Sequence, residues 1–145
     1  SAPDPEGTGA IAAMAQALDD AGLTPDTIAY INAHGTGTAL NDVMEARAIA
    51  SMFPPGTPCS STKAMTGHML GAAGACEAAF LWLTLNPEFN PGLLPPHLWD
   101  GAADPDLPPV NLVPTGMAEP LTETTAMLSN SFAFGGSNAS LVLGR

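Results

Sequence analysis

Two histidines and a lysine are the residues of this sequence whose types and spacing fit catalysis. His34 precedes the turn "GTGT", and Lys63 and His68 lie five positions apart in "SSTKAMTGHMLGAAGA". A lysine inside this run of small and apolar residues is unusual, because the whole chain has only three Lys and Arg residues. Two neutral imidazoles that donate N–H bonds to one oxygen would form an oxyanion hole, and we predict that His34 and His68 do so.

Each of these residues also has a structural interpretation that stays open at this point. Either histidine could be a satisfied core or turn residue. Lys63 is either paired with Glu45 or solvated at the end of a strand, because a buried lysine is costly without a partner. A pair of Lys63 with Glu45 would hold His68 in orientation and would favour a developing enolate or carboxylate.

The predicted elements place both histidines at the same edge of a sheet. Apolar spacing and a following Gly22 predict a helix over residues 8–21, and β-prone residues 28–33 form a strand that ends at His34. A second helix begins near Asn41, and "PCSSTKAM" is predicted as a short strand before a helix of residues 68–85, which is apolar all round and is therefore expected to be buried. Since ligands of open α/β sheets bind at the carboxyl ends of strands, we expect the two imidazoles to converge.

The rest of the chain completes the predicted fold. Residues 86–120 contain nine prolines and are expected to wrap over the surface in extended form. Two β-prone runs, 126–132 and 139–143, predict a terminal hairpin joined through Gly135 and Gly136. The order of helices and strands predicts a single layered α/β domain over residues 1–145, with a mixed sheet and helices on its faces.

Composition excludes several classes of partner and cofactor. The net charge of −11 does not provide the basic surface that nucleic acid or an anionic membrane requires. Cys59 and Cys76 form no CxxC pattern and have no histidine ladder nearby, so we expect neither a metal site nor a disulfide, but two small core residues of a reduced, cytoplasmic protein. The apolar helix is rich in Ala and Gly and carries Glu77, which argues against a membrane span. The first residues lack an initiator Met and a leader pattern, as expected for part of a longer chain.

The glycine-rich turn "NSFAFGGSN" has two interpretations. It could let the backbone approach a ligand while Phe132 or Phe134 covers it, or it could be a hairpin turn between core aromatics. No lysine follows at the spacing of a phosphate-binding loop, and no helix is predicted after it.

Three motifs taken together resemble one family. "INAHGTGTALND", "SSTKAMTGHMLGAAGACEA" and "SNSFAFGGSNASLVL" are similar, in order and spacing, to the C-terminal half of elongating β-ketoacyl-acyl-carrier-protein synthases, which belong to the thiolase-like superfamily. These ketosynthases condense an acyl chain held on a cysteine with malonyl carried by acyl carrier protein, with loss of carbon dioxide. The resemblance implies a thiolase-like α/β fold and an acyltransferase of fatty-acid or polyketide biosynthesis.

The resemblance also implies roles for individual residues. His34 and His68 correspond to the two catalytic histidines, Lys63 to the lysine of the "STK" motif, and Glu45 to the acid that supports it. Thr36 and Thr38 correspond to positions that line the pantetheine path, and Phe134 to a gating phenylalanine. No cofactor of its own is implied, because phosphopantetheine arrives on the carrier protein, and the parent enzyme is expected to be a homodimer or heterodimer.

The departures from the family pattern concern the nucleophile. No residue here matches the family's catalytic cysteine, which lies in the N-terminal half, so the chain alone is expected to be inactive. The apolar helix would pack against that half in the complete fold, so the chain alone is also expected to expose a large apolar patch. Two alternatives remain: a partner subunit that resembles a chain-length factor and does not condense, and a non-enzymatic half-domain used for binding or assembly. Retention of both histidines and of Lys63 favours the enzyme.

Overall fold

The computed structural model describes residues 4–133 and 136–145. Helices and strands alternate in its first half, and the terminal hairpin closes the fold. The helices are α1 (Thr8–Ala21), α2 (Ala39–Met52), α3 (Lys63–Thr66) and α4 (Ala73–Leu85). The strands are β1 (Ile28–Asn32), β2 (Pro58–Ser60), β3 (Asn111–Leu112), β4 (Ala126–Phe132) and β5 (Asn138–Gly144). Two single 3₁₀ turns cover Pro25–Thr27 and Leu70–Ala72.

The sheet is mixed, as the sequence predicts. Its strand order is β3-β2-β1-β4-β5, and all neighbours are parallel except β4 and β5, which form the antiparallel terminal hairpin. Asn32, the last residue of β1, pairs in register with Ser60 of β2 and with Ser129 of β4. The carboxyl ends of β1 and β2 therefore meet beside Ser129 of β4, at an edge of the sheet that we call the polar edge, and His34 and Ser61 follow the two strands there.

Helices cover both faces of this sheet. α1 and α2 pack on one face, in a cluster that includes Met14, Ile49 and Leu128. α4 lies on the other face, where Leu81 packs with Tyr30 and Met127. Met127 and Leu128 are consecutive residues of β4 that enter different clusters, because side chains alternate across a strand. The predicted layered α/β architecture is confirmed.

α4 differs from the prediction in its burial and in where it begins. We expected a helix over residues 68–85 that is buried all round, but α4 begins at Ala73 and only one of its faces is buried. Leu81 is fully buried, whereas Trp82 and Leu83 are 54% and 42% exposed. The sheet covers one side of the helix only, so the apolar residues on its other side face outward.

The proline-rich segment wraps over the edge of the sheet, as expected, and is anchored there. The backbone N–H of Leu94 donates to the carbonyl of Met117, and that of His97 donates to Val113, whose own N–H donates to Cys59 of β2. Leu94 and Val113 are buried. This segment therefore lies against β2, next to the polar edge. No helix among the described residues is long and apolar enough to cross a membrane.

Candidate functional site

His34 lies at the polar edge, in the loop that follows β1. Its backbone continues the sheet, because the preceding Ala33 N–H donates to the carbonyl of Ser60 at 2.8 Å. The residue is buried, and its ring lies edge-on to Phe132 of β4, with 6.0 Å between the ring centroids. The position at the carboxyl end of a strand is the one that the sequence predicts.

Glu45 does not pair with Lys63, so the ion pair predicted from the sequence is wrong. Glu45 instead holds the loop that follows β1. Its two carboxylate oxygens accept the backbone N–H groups of His34 at 2.8 Å and of Gly35 at 2.7 Å. The side-chain amides of Asn130 and Asn41 donate to the same carboxylate at 3.3 and 3.4 Å. Burial raises the pKa of Glu45, and the two backbone donors act in the opposite direction. Four donors thus satisfy a buried acid that fixes the backbone of His34.

Lys63 is paired with Glu77, the one charged residue of α4. Its ammonium donates to Oε1 of Glu77, and the two side chains are 6% and 2% exposed. Lys63 is the first residue of α3 and not a strand residue, because β2 ends at Ser60. The ammonium also lies 3.5 Å from Nδ1 of His34. An ammonium can only donate, so Nδ1 of His34 accepts and the proton of the neutral ring is on Nε2.

His68 does not end a strand, but its ring still reaches His34. It is an exposed residue of the loop between α3 and the 3₁₀ turn, eight positions beyond β2. Its Nδ1 accepts the backbone N–H of Leu70 at 3.2 Å, which places the proton of the neutral ring on Nε2. Leu70 has a φ of 51°, a left-handed conformation that leucine seldom adopts. The residue that donates to the His68 ring therefore has a strained backbone conformation.

The two histidines form the pair that we predicted from the sequence. Their ring centroids are 5.2 Å apart and their planes are nearly perpendicular, at 86°. Burial lowers the pKa of His34 from 6.5 to about 4, and the charge of the nearby Lys63 ammonium acts in the same direction. His34 is therefore neutral at pH 7. Each ring has its Nδ1 occupied by a donor, so each retains an Nε2–H that can donate to a ligand.

Gly35 and Ser61 bring the two halves of the site together. The hydroxyl of Ser61 donates to the carbonyl of Gly35 at 2.8 Å and accepts the backbone N–H of Lys63 at 3.3 Å. Gly35 has a φ of 41°, and a Cβ on it would lie 2.4 Å from Cβ of Ser61. This close approach requires glycine at position 35. The role of Ser61 was not predicted from the sequence, although this serine is the first residue of the "STK" motif.

The predicted substrate-binding residues have different outcomes. Thr36 and Thr38 lie in the loop after His34, and their hydroxyls are 2.9 Å apart. Thr36 is partly buried and Thr38 is exposed. Phe134 lies outside the described residues. Phe132, which the sequence offered as an aromatic cover or a core residue, is buried beside His34.

Neither cysteine is placed as a nucleophile at this site. Cys59 is buried in β2 and burial raises the pKa of its thiol, while Cys76 is a half-buried residue of α4. Within residues 4–133 and 136–145, no group of three or more His, Cys, Asp or Glu side chains could hold a metal ion. The chemistry that this part of the chain offers is hydrogen-bond donation by two neutral imidazoles beside a buried ion pair.

Comparison with known proteins shows what this chain is similar to. The family model described as Beta-ketoacyl synthase, C-terminal domain, matches residues 1–98. The 3-oxoacyl-[acyl-carrier-protein] synthase 2 of Coxiella burnetii is 43% identical over 146 residues, which is 99% of this chain and 34% of that protein. This chain therefore spans about a third of the length of such relatives.

Solved structures give the same result. A chain from the structure of a ketosynthase (ApeO) in complex with its chain length factor (ApeC) from Xenorhabdus doucetiae is 52% identical with a TM-score of 0.88, over 99% of this chain and 35% of that one. A second similar structure is a type II PKS acyl-carrier protein in complex with its ketosynthase bound to the hexaketide (AntDE:AntF), with 30% identity and a TM-score of 0.82 over 100% of this chain and 34% of that one.

Proposed function

The chain belongs to the β-ketoacyl synthase family as its C-terminal domain, and we propose that it supplies the two-histidine site of a decarboxylating condensing enzyme. The observation that carries this proposal is the convergence of His34 and His68, each with Nδ1 occupied and with an Nε2–H that has no partner among the described residues. The substrates would be an acyl chain and a malonyl group carried by acyl carrier protein. In this proposal residues 1–145 form one domain of a longer enzyme.

The two imidazoles would act on the malonyl thioester. When the bond between the carboxylate carbon and the α-carbon breaks, carbon dioxide leaves and the electron pair moves onto the thioester oxygen as an enolate. Two N–H donors fixed around that oxygen stabilise the developing charge without reorganisation. The enolate carbon then attacks the carbonyl of the acyl thioester and forms the new C–C bond. The bond between that carbonyl and the cysteine sulfur breaks, and the cysteine leaves as a thiolate.

Lys63 would keep His34 in its donor state. Its ammonium donates to Nδ1 and its charge disfavours a second proton on the ring. Glu77 neutralises Lys63, so the pair is stable in a buried position. Glu45 would act through the backbone by holding His34 and Gly35.

The nucleophilic cysteine would come from outside this chain. Cys59 is buried within β2 with a raised pKa, which disfavours the thiolate. We propose that the N-terminal half of the same fold supplies the cysteine and covers the exposed apolar residues near α4. Those residues are Met65, Met69, Leu70, Trp82, Leu83 and Phe89. We further propose a dimeric, cytoplasmic enzyme that receives phosphopantetheine on its carrier protein and holds no cofactor of its own.

The proposal is tested by malonyl decarboxylation in the complete synthase that contains this chain. We expect His34→Ala and His68→Ala each to lower the decarboxylation rate by about 100-fold or more, the effect of losing one oxyanion donor. Asp19→Ala, on the exposed side of α1, is the matched control and should keep the rate. Unchanged decarboxylation in both histidine variants would exclude the condensing role and favour a partner subunit of the chain-length-factor type.

A further inference from the structure

Ser61 is the residue through which the two parts of the site are connected. Its hydroxyl bridges the carbonyl of Gly35, next to His34, and the backbone N–H of Lys63. Its own backbone N–H donates to a side chain, at Nδ1 of His97, over 3.1 Å. The position of Ser61 therefore depends on a third histidine, which lies 36 residues further along the chain.

His97 belongs to the proline-rich segment and is held firmly there. Its backbone N–H donates to Val113 at 2.8 Å. Two residues before it, the carbonyl of Pro95 accepts the hydroxyl of Ser60 at 2.6 Å. The ring is half-buried and lies 6.2 Å from that of Trp99. The imidazole thus reaches Ser61 from a segment whose backbone is hydrogen-bonded to Ser60 of β2 and to Val113.

The hydrogen bond defines the chemical state of His97. A backbone N–H can only donate, so Nδ1 of His97 must be unprotonated and the neutral ring carries its proton on Nε2. Burial lowers the pKa of His97, and the charge of Asp42 on α2 opposes this effect. Loss of the acceptor would leave the N–H of Ser61 without a partner among the described residues at a buried position, which is unfavourable.

We propose that His97 is a positioning residue for the two-histidine site and acts through Ser61. The acceptor on His97 fixes the backbone of Ser61, and Ser61 fixes the separation between the loop of His34 and the helix that begins with Lys63. Catalysis by fixed donors is sensitive to small displacements, so this contact would affect turnover although His97 touches neither catalytic imidazole. The inference rests on the function proposed above.

The test compares two substitutions of His97 in the complete synthase. His97→Leu removes the acceptor, whereas His97→Asn keeps an acceptor, because the amide oxygen can replace Nδ1. We expect His97→Leu to lower kcat for malonyl decarboxylation about tenfold with little change in KM, and His97→Asn to recover most of that loss. Leu98→Ala, at the exposed neighbouring residue, is the control for disturbance of the segment.

A second measurement separates this inference from the proposed function. Amide hydrogen exchange at Ser61 should be faster in His97→Leu than in the wild type and should remain slow in His97→Asn, whatever reaction the enzyme catalyses. Equal losses of kcat in the two variants, or unchanged Ser61 exchange in His97→Leu, would overturn the positioning role. If exchange follows the expectation but His34→Ala keeps full decarboxylation, the proposed function fails and the contact of His97 with Ser61 stands.

Discussion

The ammonium of Lys63 binds the carboxylate of Glu77, fourteen residues further along the chain, and not that of Glu45. This pair connects the start of α3 to α4, next to the ring of His34. Oε2 of Glu77 has no hydrogen-bond partner among the described residues. The pair is buried, so its two members depend strongly on each other.

Removal of one member of this pair should destabilise the fold. We expect Glu77→Ala to lower the free energy of unfolding of the complete synthase by about 3–5 kcal/mol, because an uncompensated ammonium stays buried. The double substitution Lys63→Met/Glu77→Leu should recover much of this loss, since it removes both charges and keeps the volume. Urea unfolding measures both, and a double variant as unstable as Glu77→Ala would contradict the explanation.

Gly35 should not tolerate a side chain. Gly35→Ala adds a Cβ that collides with Ser61 and also strains a positive φ, so we expect a loss of about 2–4 kcal/mol in stability. Gly37→Ala is the matched control: its φ is 74° but nothing lies within 4 Å of the added Cβ, so only about 1 kcal/mol should be lost. Thermal unfolding compares the two, and equal losses would show that the contact with Ser61 is unimportant.

The left-handed backbone of Leu70 should matter more than its side chain for the orientation of His68. Glycine adopts the φ of 51° without strain, so Leu70→Gly should keep this backbone conformation. A β-branched residue is strained at this φ, so in Leu70→Val the same conformation should cost about 1–2 kcal/mol or more. We expect Leu70→Val to lower decarboxylation more than Leu70→Gly does. Steady-state rates decide this, and a larger loss in Leu70→Gly would assign the role to the side chain.

The lowered pKa of His34 should give the fold a defined pH dependence. The pKa of His34 is about 4 in the folded protein and about 6.5 when unfolded, so the unfolded state binds more protons between these values. Its contribution to stability is thus complete above pH 6.5 and is lost as the pH falls toward about 4. Urea unfolding at several pH values should show a shallower decline for His34→Gln than for the wild type or for Asp19→Ala. The same decline in all three proteins would contradict the lowered pKa.

The exposed apolar residues near α4 should make the 145-residue chain associate when it is expressed alone. Trp82, Phe89 and Leu70 are 54%, 61% and 77% exposed, and a patch of such residues is unfavourable in water. We expect oligomers or aggregates by light scattering, and fewer of them for Trp82→Ser than for the wild type. A monodisperse monomer at high concentration would contradict this expectation.

The sequence by itself was sufficient for the fold class, for most elements and for the two histidines. Helix α1 with its C-terminal Gly22 follows from local spacing, because one face of the helix is buried. The hairpin of β4 and β5 follows from two β-prone runs that flank a glycine-rich turn. His34 could be placed at the end of β1 because the strand and the glycine-rich turn adjoin in sequence. The motifs identified the family, and the comparisons confirm it.

Only the tertiary structure decided which charged and polar groups meet. Glu45 and Glu77 are both buried acids on helices, and their partners depend on which face of the sheet each helix covers: α2 lies against the loop of His34, and α4 reaches Lys63 from the other side. The contact of Ser61 with His97 spans 36 residues and has no local pattern. Local propensity is set by neighbours along the chain, whereas these contacts depend on the packing of distant segments, and that packing determines the geometry of the site.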